Sequence, residues 1–192
     1  MTSLTGPQQQ ILRSAVFAGA LERENVIGYD GADLDADLLA LAEKQLIAEG
    51  DLVLPTDDGQ ALLEKQYMSL RASLPEEARD EIIRQFRPLD REVKLLAAKW
   101  QNADARNDWE EKVAVIEKLS ALQQKTLSFI SRYRSQLPNL SEFGAKLGKA
   151  LAHVLEGETD FVVGVRCPSY HTVWFEMHED LLRTLQRERD AE

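Results

Sequence analysis

The stretch SLPEEARDEIIRQFRPLDREVKLLAAKW, from Ser73 to Trp100, decides the fold class. Ile82, Phe86, Leu89, Val93, Leu96 and Trp100 recur at spacings of four, three, four, three and four. That period places them on one stripe of a helix and makes the seam of a helix packed on other helices. Ser73-Leu74-Pro75-Glu76 reads as a capping box with proline in the first turn. Pro88 is expected to kink the helix or split it, because it lacks an N–H and crowds the preceding turn.

Downstream the period repeats. Val115, Leu119, Leu122, Thr126, Phe129 and Tyr133 predict a helix over about 108–136, after a polar break at 102–108. Leu140, Phe143, Leu147, Leu151 and Val154 predict another, capped by Ser141 and stopped by Gly157. Gly144 and Gly148, four apart, suit close approach of a neighbouring helix. Residues 160–165 form an apolar β-branched run expected to be extended, and a last helix is expected over 169–189.

Upstream, residues 8–21 and 33–49 read as helices, with 22–31 a turn or brief helix between them. Asp51-Leu52-Val53-Leu54 alternates as a short strand. Thr56 is placed to cap a helix beginning at Asp57–Asp58. The order is that of a winged-helix module with a reduced wing. The expected architecture is therefore mostly α: a winged-helix-like module over 1–70, then a helical bundle over 71–192.

The chain has 192 residues, a net charge of −10 and one cysteine, Cys167. A lone cysteine makes no internal disulfide and no cysteine zinc site. Residues 1–65 carry −8 of the charge, which repels phosphate backbones and weighs against nucleic-acid binding. No apolar run approaches the roughly 18–20 residues of a membrane helix, and the first residues lack the pattern of a secretory signal. A cytoplasmic location is the expectation. No Gly-rich phosphate loop or Gly-x-Ser-x-Gly elbow occurs.

The densest cluster of chemistry-bearing side chains is Ser169-Tyr170-His171-Thr172-Val173-Trp174-Phe175-Glu176-Met177-His178-Glu179-Asp180-Leu181-Leu182. His171, Phe175, His178, Leu182 and Leu185 are spaced to share a helical face, so both histidines are expected on the apolar stripe. Three readings compete. They are core residues with hydrogen-bond partners, or they line an aromatic pocket where one activates a ligand hydroxyl, or they bind metal. Their separation of seven does not suit the i, i+4 pair of a helical zinc site. Trp100-Gln101 is either an aromatic plug at a helix end or a pocket wall with an amide. Lys94, Lys99, Arg132 and Arg134 are either anion contacts or a solvated helix face, and His153 reads as structural. Glu142 and Asp180 read as surface or capping groups.

Three blocks together carry a family resemblance: Leu54-Pro55-Thr56-Asp57-Asp58-Gly59, Trp100-Gln101 and the segment Ser169–Leu182. The chain resembles a small module found beside, or fused to, proteins of the phosphoenolpyruvate synthase and pyruvate phosphate dikinase type. Pro55 departs from the family pattern, which bears on the wing. The resemblance implies a small subunit of an ATP-dependent phosphotransferase acting on the hydroxyl of a phenolic compound of alkylphenol or hydroxyacetophenone type. ATP, Mg and the phosphohistidine belong to a larger ATP-grasp partner, and this chain binds no cofactor or metal. His171 or His178 would activate the phenol, with Trp100, Gln101, Trp174, Phe175 and Glu176 around it. A winged-helix transcription regulator and a non-catalytic adaptor are the competing functions.

Overall fold

The computed structural model describes residues 4–23, 26, 34–48 and 50–186. The chain is mostly helical, with eight helices and one small sheet among the described residues. It divides into two compact units, Met1–Arg71 and Ala72–Glu192.

In the first unit, α1 (Gly6–Ala18) starts at a full capping box. Thr5 accepts from the backbone of Gln8, and the Gln8 side chain reaches back. β1 (Leu21–Glu22), β2 (Ile47–Ala48) and β3 (Leu52–Pro55) form an antiparallel sheet in the order β1-β3-β2. The sheet thus has three strands where the sequence suggested one. Two-residue strands leave no alternation to read, so β1 and β2 are defined by their pairing to β3.

The second predicted helix is shorter than expected: α2 runs Leu34–Glu43 and ends seven residues before Gly50. Gln45 takes a left-handed conformation (φ 58°), and the N–H groups of Leu46 and Gln45 bond back to Leu41 and Ala42. This Schellman turn releases Ile47 into the sheet. The turn expected over 22–31 lies largely outside the described residues, as do Asp33 and the residues beyond 186. α3 (Asp57–Ala72) begins where Thr56 accepts from the Gly59 N–H at 3.0 Å. Ile11, Leu12, Ala15, Leu38, Leu41, Leu46 and Val53 form the core of this unit. A cleft of about 220 Å³ opens between α2 and the hairpin, lined by Leu38, Leu39, Ala42, Ile47, Leu52 and Val53.

In the second unit, α4 (Glu76–Ala105) runs without a break through Pro88. It is not split, and it continues well into the expected polar break. Its stripe of Ile82, Phe86, Leu89, Val93, Leu96 and Trp100 is wholly buried, and that packing outweighs the lost hydrogen bond. Pro75, not Ser73, holds the N-cap position, and no side chain caps it. Asn107, left-handed at φ 53°, closes the helix through bonds from Asp108 to Ala103 and from Asn107 to Asp104.

α5 (Trp109–Tyr133) starts at Asp108, whose side chain accepts from Glu111. α6 (Leu140–Leu155) begins one residue before Ser141, with Asn139 at the N-cap. Gly144 lets α6 approach α5, since a Cβ there would lie 3.1 Å from the Ile130 side chain. The run expected to be extended is instead the single turn α7 (Asp160–Val163). No strand in the described part of this unit offers it a ladder, and the turn buries Val162. α8 (Tyr170–Leu185) packs on α4, α6 and α7. No helix among the described residues is long and apolar enough to cross a membrane.

Candidate functional site

Ser169 fixes where α8 begins. Its hydroxyl accepts from the Thr172 N–H at 3.1 Å, and the Thr172 hydroxyl donates to the Gly164 carbonyl at 3.2 Å. This start sets the helix face, and the face differs from the predicted one. Tyr170, Val173, Trp174, Met177, Leu181 and Leu185 point inward. His171 is exposed and Phe175 is 40% exposed, so the two predicted stripe positions lie at its edge. The predicted stripe took one flank of the buried face for its centre. Desolvation by surrounding atoms lowers the pKa of His171 although its side chain reaches solvent.

His178, 8% exposed, lies within the bundle. The Trp174 indole N–H donates to Asp90 Oδ1 at 2.9 Å. Phe86 stacks on Trp174 at 5.4 Å between ring centres and on His178 at 5.8 Å. Asp90 Oδ2 lies 3.3 Å from Lys94 Nζ and 3.9 Å from His178 Nε2. On its other side, His178 Nδ1 faces Glu179 Oε1 at 3.4 Å. A cleft of about 20 Å³ opens at this point, lined by the polar side chains of Arg87, Asp90, Lys94 and His178 and by the apolar Ile83, Phe86 and Leu182. That is room for one water-sized oxygen, far below the roughly 300 Å³ that encloses a small ligand.

The other predicted residues lie elsewhere. Glu176 faces α6, where Lys146 Nζ lies 3.7 Å from it and 2.6 Å from Glu142. Glu142 and Asp180 are not surface groups: Glu142 joins this buried cluster, and Asp180 is 4% exposed and accepts from Asn139. Trp100 is buried beneath Lys112, whose ammonium sits 5.4 Å from the ring centre. Ten positions separate Trp100 from Asp90 on α4, about 15 Å along the axis. Gln101 is exposed. Trp174, Phe175 and His178 are thus grouped around α8, while Trp100, Gln101 and Glu176 stand apart from the cleft.

Asp90 is the residue sequence reading passed over. Its signal was an acid four residues from both Phe86 and Lys94, on the flank of an apolar seam. Tyr170 was passed over too. Its buried hydroxyl donates to Gln123 Oε1 at 2.9 Å, and desolvation holds its pKa far above the ordinary phenol range. Burial likewise pushes the Cys167 thiol up, with Asp160 adding to the effect.

No family model, curated protein or solved structure matches this chain.

Proposed function

We propose that the chain is the small subunit of an ATP-dependent, phosphoenolpyruvate-synthase-like phosphotransferase, and that its cleft at His178 receives the hydroxyl of a phenolic acceptor. The observation that supports this reading is the single-oxygen space lined by His178, Lys94, Arg87 and Asp90, with His178 Nε2 on the Asp90 side of the ring. Carboxylates face both ring nitrogens, but Glu179 Oε1 stands nearer Nδ1 (3.4 Å) than Asp90 Oδ2 stands to Nε2 (3.9 Å), so in this reading the proton sits on Nδ1 and the Nε2 lone pair takes a hydroxyl. The phenol proton passes to Nε2 as the oxygen bonds to the phosphorus of the partner's phosphohistidine, whose P–N bond breaks and leaves that imidazole as the leaving group, and the Lys94 ammonium offsets the developing phenolate charge. Asp90 holds Lys94 and Trp174 in place.

The aromatic ring does not fit within the cleft. It lies outside, along half-exposed Phe175, and a larger partner covers it. That partner brings ATP, Mg and the phosphohistidine, and the pair works in the cytoplasm.

The first unit serves as a winged-helix-like docking module in this reading. Helix, strand, helix and hairpin, with the first strand paired to the last, support it. The same connectivity favours a second reading, a transcription regulator. Asp35, Asp37 and Glu43 on α2 oppose contact with phosphates. Duplex binding whose affinity falls steeply with salt would support the regulator.

The test is co-expression with a large phosphoenolpyruvate-synthase-like protein encoded nearby, followed by ATP-dependent phosphorylation of a phenol panel. Activity is expected only with both chains. His178→Gln is expected to lose roughly 100-fold or more in kcat with its circular dichroism unchanged. Full activity from the large protein alone, or a folded His178→Gln subunit of full activity, refutes the reading.

A further inference from the structure

The C-terminus of α6 carries a constellation remote in sequence from the cleft. α6 ends in a Schellman turn: the Glu158 N–H bonds to the His153 carbonyl at 3.0 Å, and the Gly157 N–H to Val154 at 3.1 Å. Gly157 takes φ 96°, a conformation that glycine adopts without strain. This turn sets residue 158 beside residue 153, a place where an apolar pair commonly packs. Here the pair is a histidine and a glutamate, with Nδ1 and Oε1 3.1 Å apart. The ring is held flat against Phe161, 4.2 Å between centres. Glu156 supplies a third oxygen, and the three ligand atoms all lie within 4.8 Å of one another.

We infer that His153, Glu156 and Glu158 form a binding site for a first-row divalent cation of the zinc class. Three features point there. One nitrogen and two carboxylates suit Zn²⁺ or Co²⁺ better than the all-oxygen preference of Ca²⁺ and Mg²⁺. Bonds of about 2.0–2.1 Å to a shared ion put neighbouring ligand atoms roughly 3 Å apart, close to the spacing His153 and Glu158 already have. The two carboxylates also sit at the negative end of the α6 dipole, where acidic groups destabilise a helix. A cation answers that charge, and water fills its remaining positions. Coordination through Nδ1 places the remaining ring proton on Nε2, a tautomer change that moves no net proton from a neutral ring.

The site requires no partner and is independent of the acceptor cleft. It is tested on the full, tag-free chain by titrating Zn²⁺ calorimetrically and Co²⁺ by its visible absorption. One equivalent is expected to bind. The His153 ring resonances should shift, while those of His171 and His178 stay in place. His153→Ala and Glu158→Gln should weaken binding at least about tenfold, the lower end of what losing even an outer-shell partner costs. His153→Gln, which keeps a polar group on the turn, should lose binding equally while its thermal midpoint without metal stays near wild type. Saturable binding unchanged in all three variants, or no saturable binding in wild type, overturns the site.

Discussion

Replacing Gly59 by alanine sets two physical effects against each other. Gly59 is the third residue of α3, and alanine in a helix interior is favoured over glycine by about 1 kcal/mol. Propensity alone makes Gly59→Ala stabilising. The structure reverses the sign. A Cβ there would lie 2.1 Å from the Leu46 carbonyl oxygen and 3.0 Å from Leu12 Cδ1. An ordinary carbon–oxygen contact is about 3.3 Å, so the two backbones must separate by roughly 1.2 Å. The Leu46 carbonyl accepts from the Thr56 N–H at 3.1 Å, and the Gln45 carbonyl accepts from the Thr56 hydroxyl at 2.6 Å. Both bonds stretch, at about 1 kcal/mol each. Repacking around Leu12 and Leu46 adds about 1–3 kcal/mol. After the propensity gain, the expected net loss is about 2–4 kcal/mol. All three tryptophans, Trp100, Trp109 and Trp174, lie in residues 72–192. Urea unfolding followed by far-ultraviolet dichroism therefore reports both units, and tryptophan emission reports the second. Gly59→Ala should lower the midpoint of the dichroism transition belonging to residues 4–71. An unchanged or raised midpoint refutes the steric argument.

Two further perturbations test the bundle. Lys146 is 3% exposed in its side chain, between Glu142 and Glu176. Lys146→Met leaves those carboxylates without their shared cation and should cost about 3–5 kcal/mol, read from the urea midpoint of tryptophan emission. Tyr170 ionises far less readily folded than unfolded, so its contribution is complete below the unfolded phenol pKa of about 10. That contribution is lost as pH rises above this value toward the folded pKa. Wild type should therefore lose more stability between pH 9 and 11 than Tyr170→Phe. Equal losses would show that the buried hydroxyl is not the source. At pH 7 the variant should be about 1–3 kcal/mol weaker, because Gln123 Oε1 loses its donor.

The stripes of α4, α5 and α6 were legible because each is long, and every stripe position named from the period is buried. Thr56 and Gly59 were legible as a motif. The reason for the glycine, a carbonyl from the preceding turn pressed against it, is a tertiary fact with no local signature. The same limit hid β1 and β2, which are defined by pairing, and the ends of α2 and α4. There Gln45 and Asn107 take a left-handed conformation usually reserved for glycine. At the candidate site, periodicity found the right helix but centred its inner face one flank away. Trp174, His178 and their neighbours emerged from their own segment. Asp90 did not, because its tie to Trp174 spans 84 positions and an isolated acid beside a lysine reads as a surface pair.

That span also bears on how the second unit assembles. α4 and α5 are joined by a three-residue turn and meet through pairs such as Glu92 with Lys125, 33 positions apart. Such a hairpin closes its loop early. α8 seals the same seam from much farther along the chain and leaves the ribosome after every helix it packs against. Until it docks, Phe86 lacks its two stacked partners on that side and Asp90 its indole donor. During synthesis the nascent hairpin thus presents an apolar groove shaped for one amphipathic helix. The interval before α8 arrives is when a chaperone, or a second unfinished copy, competes for that groove.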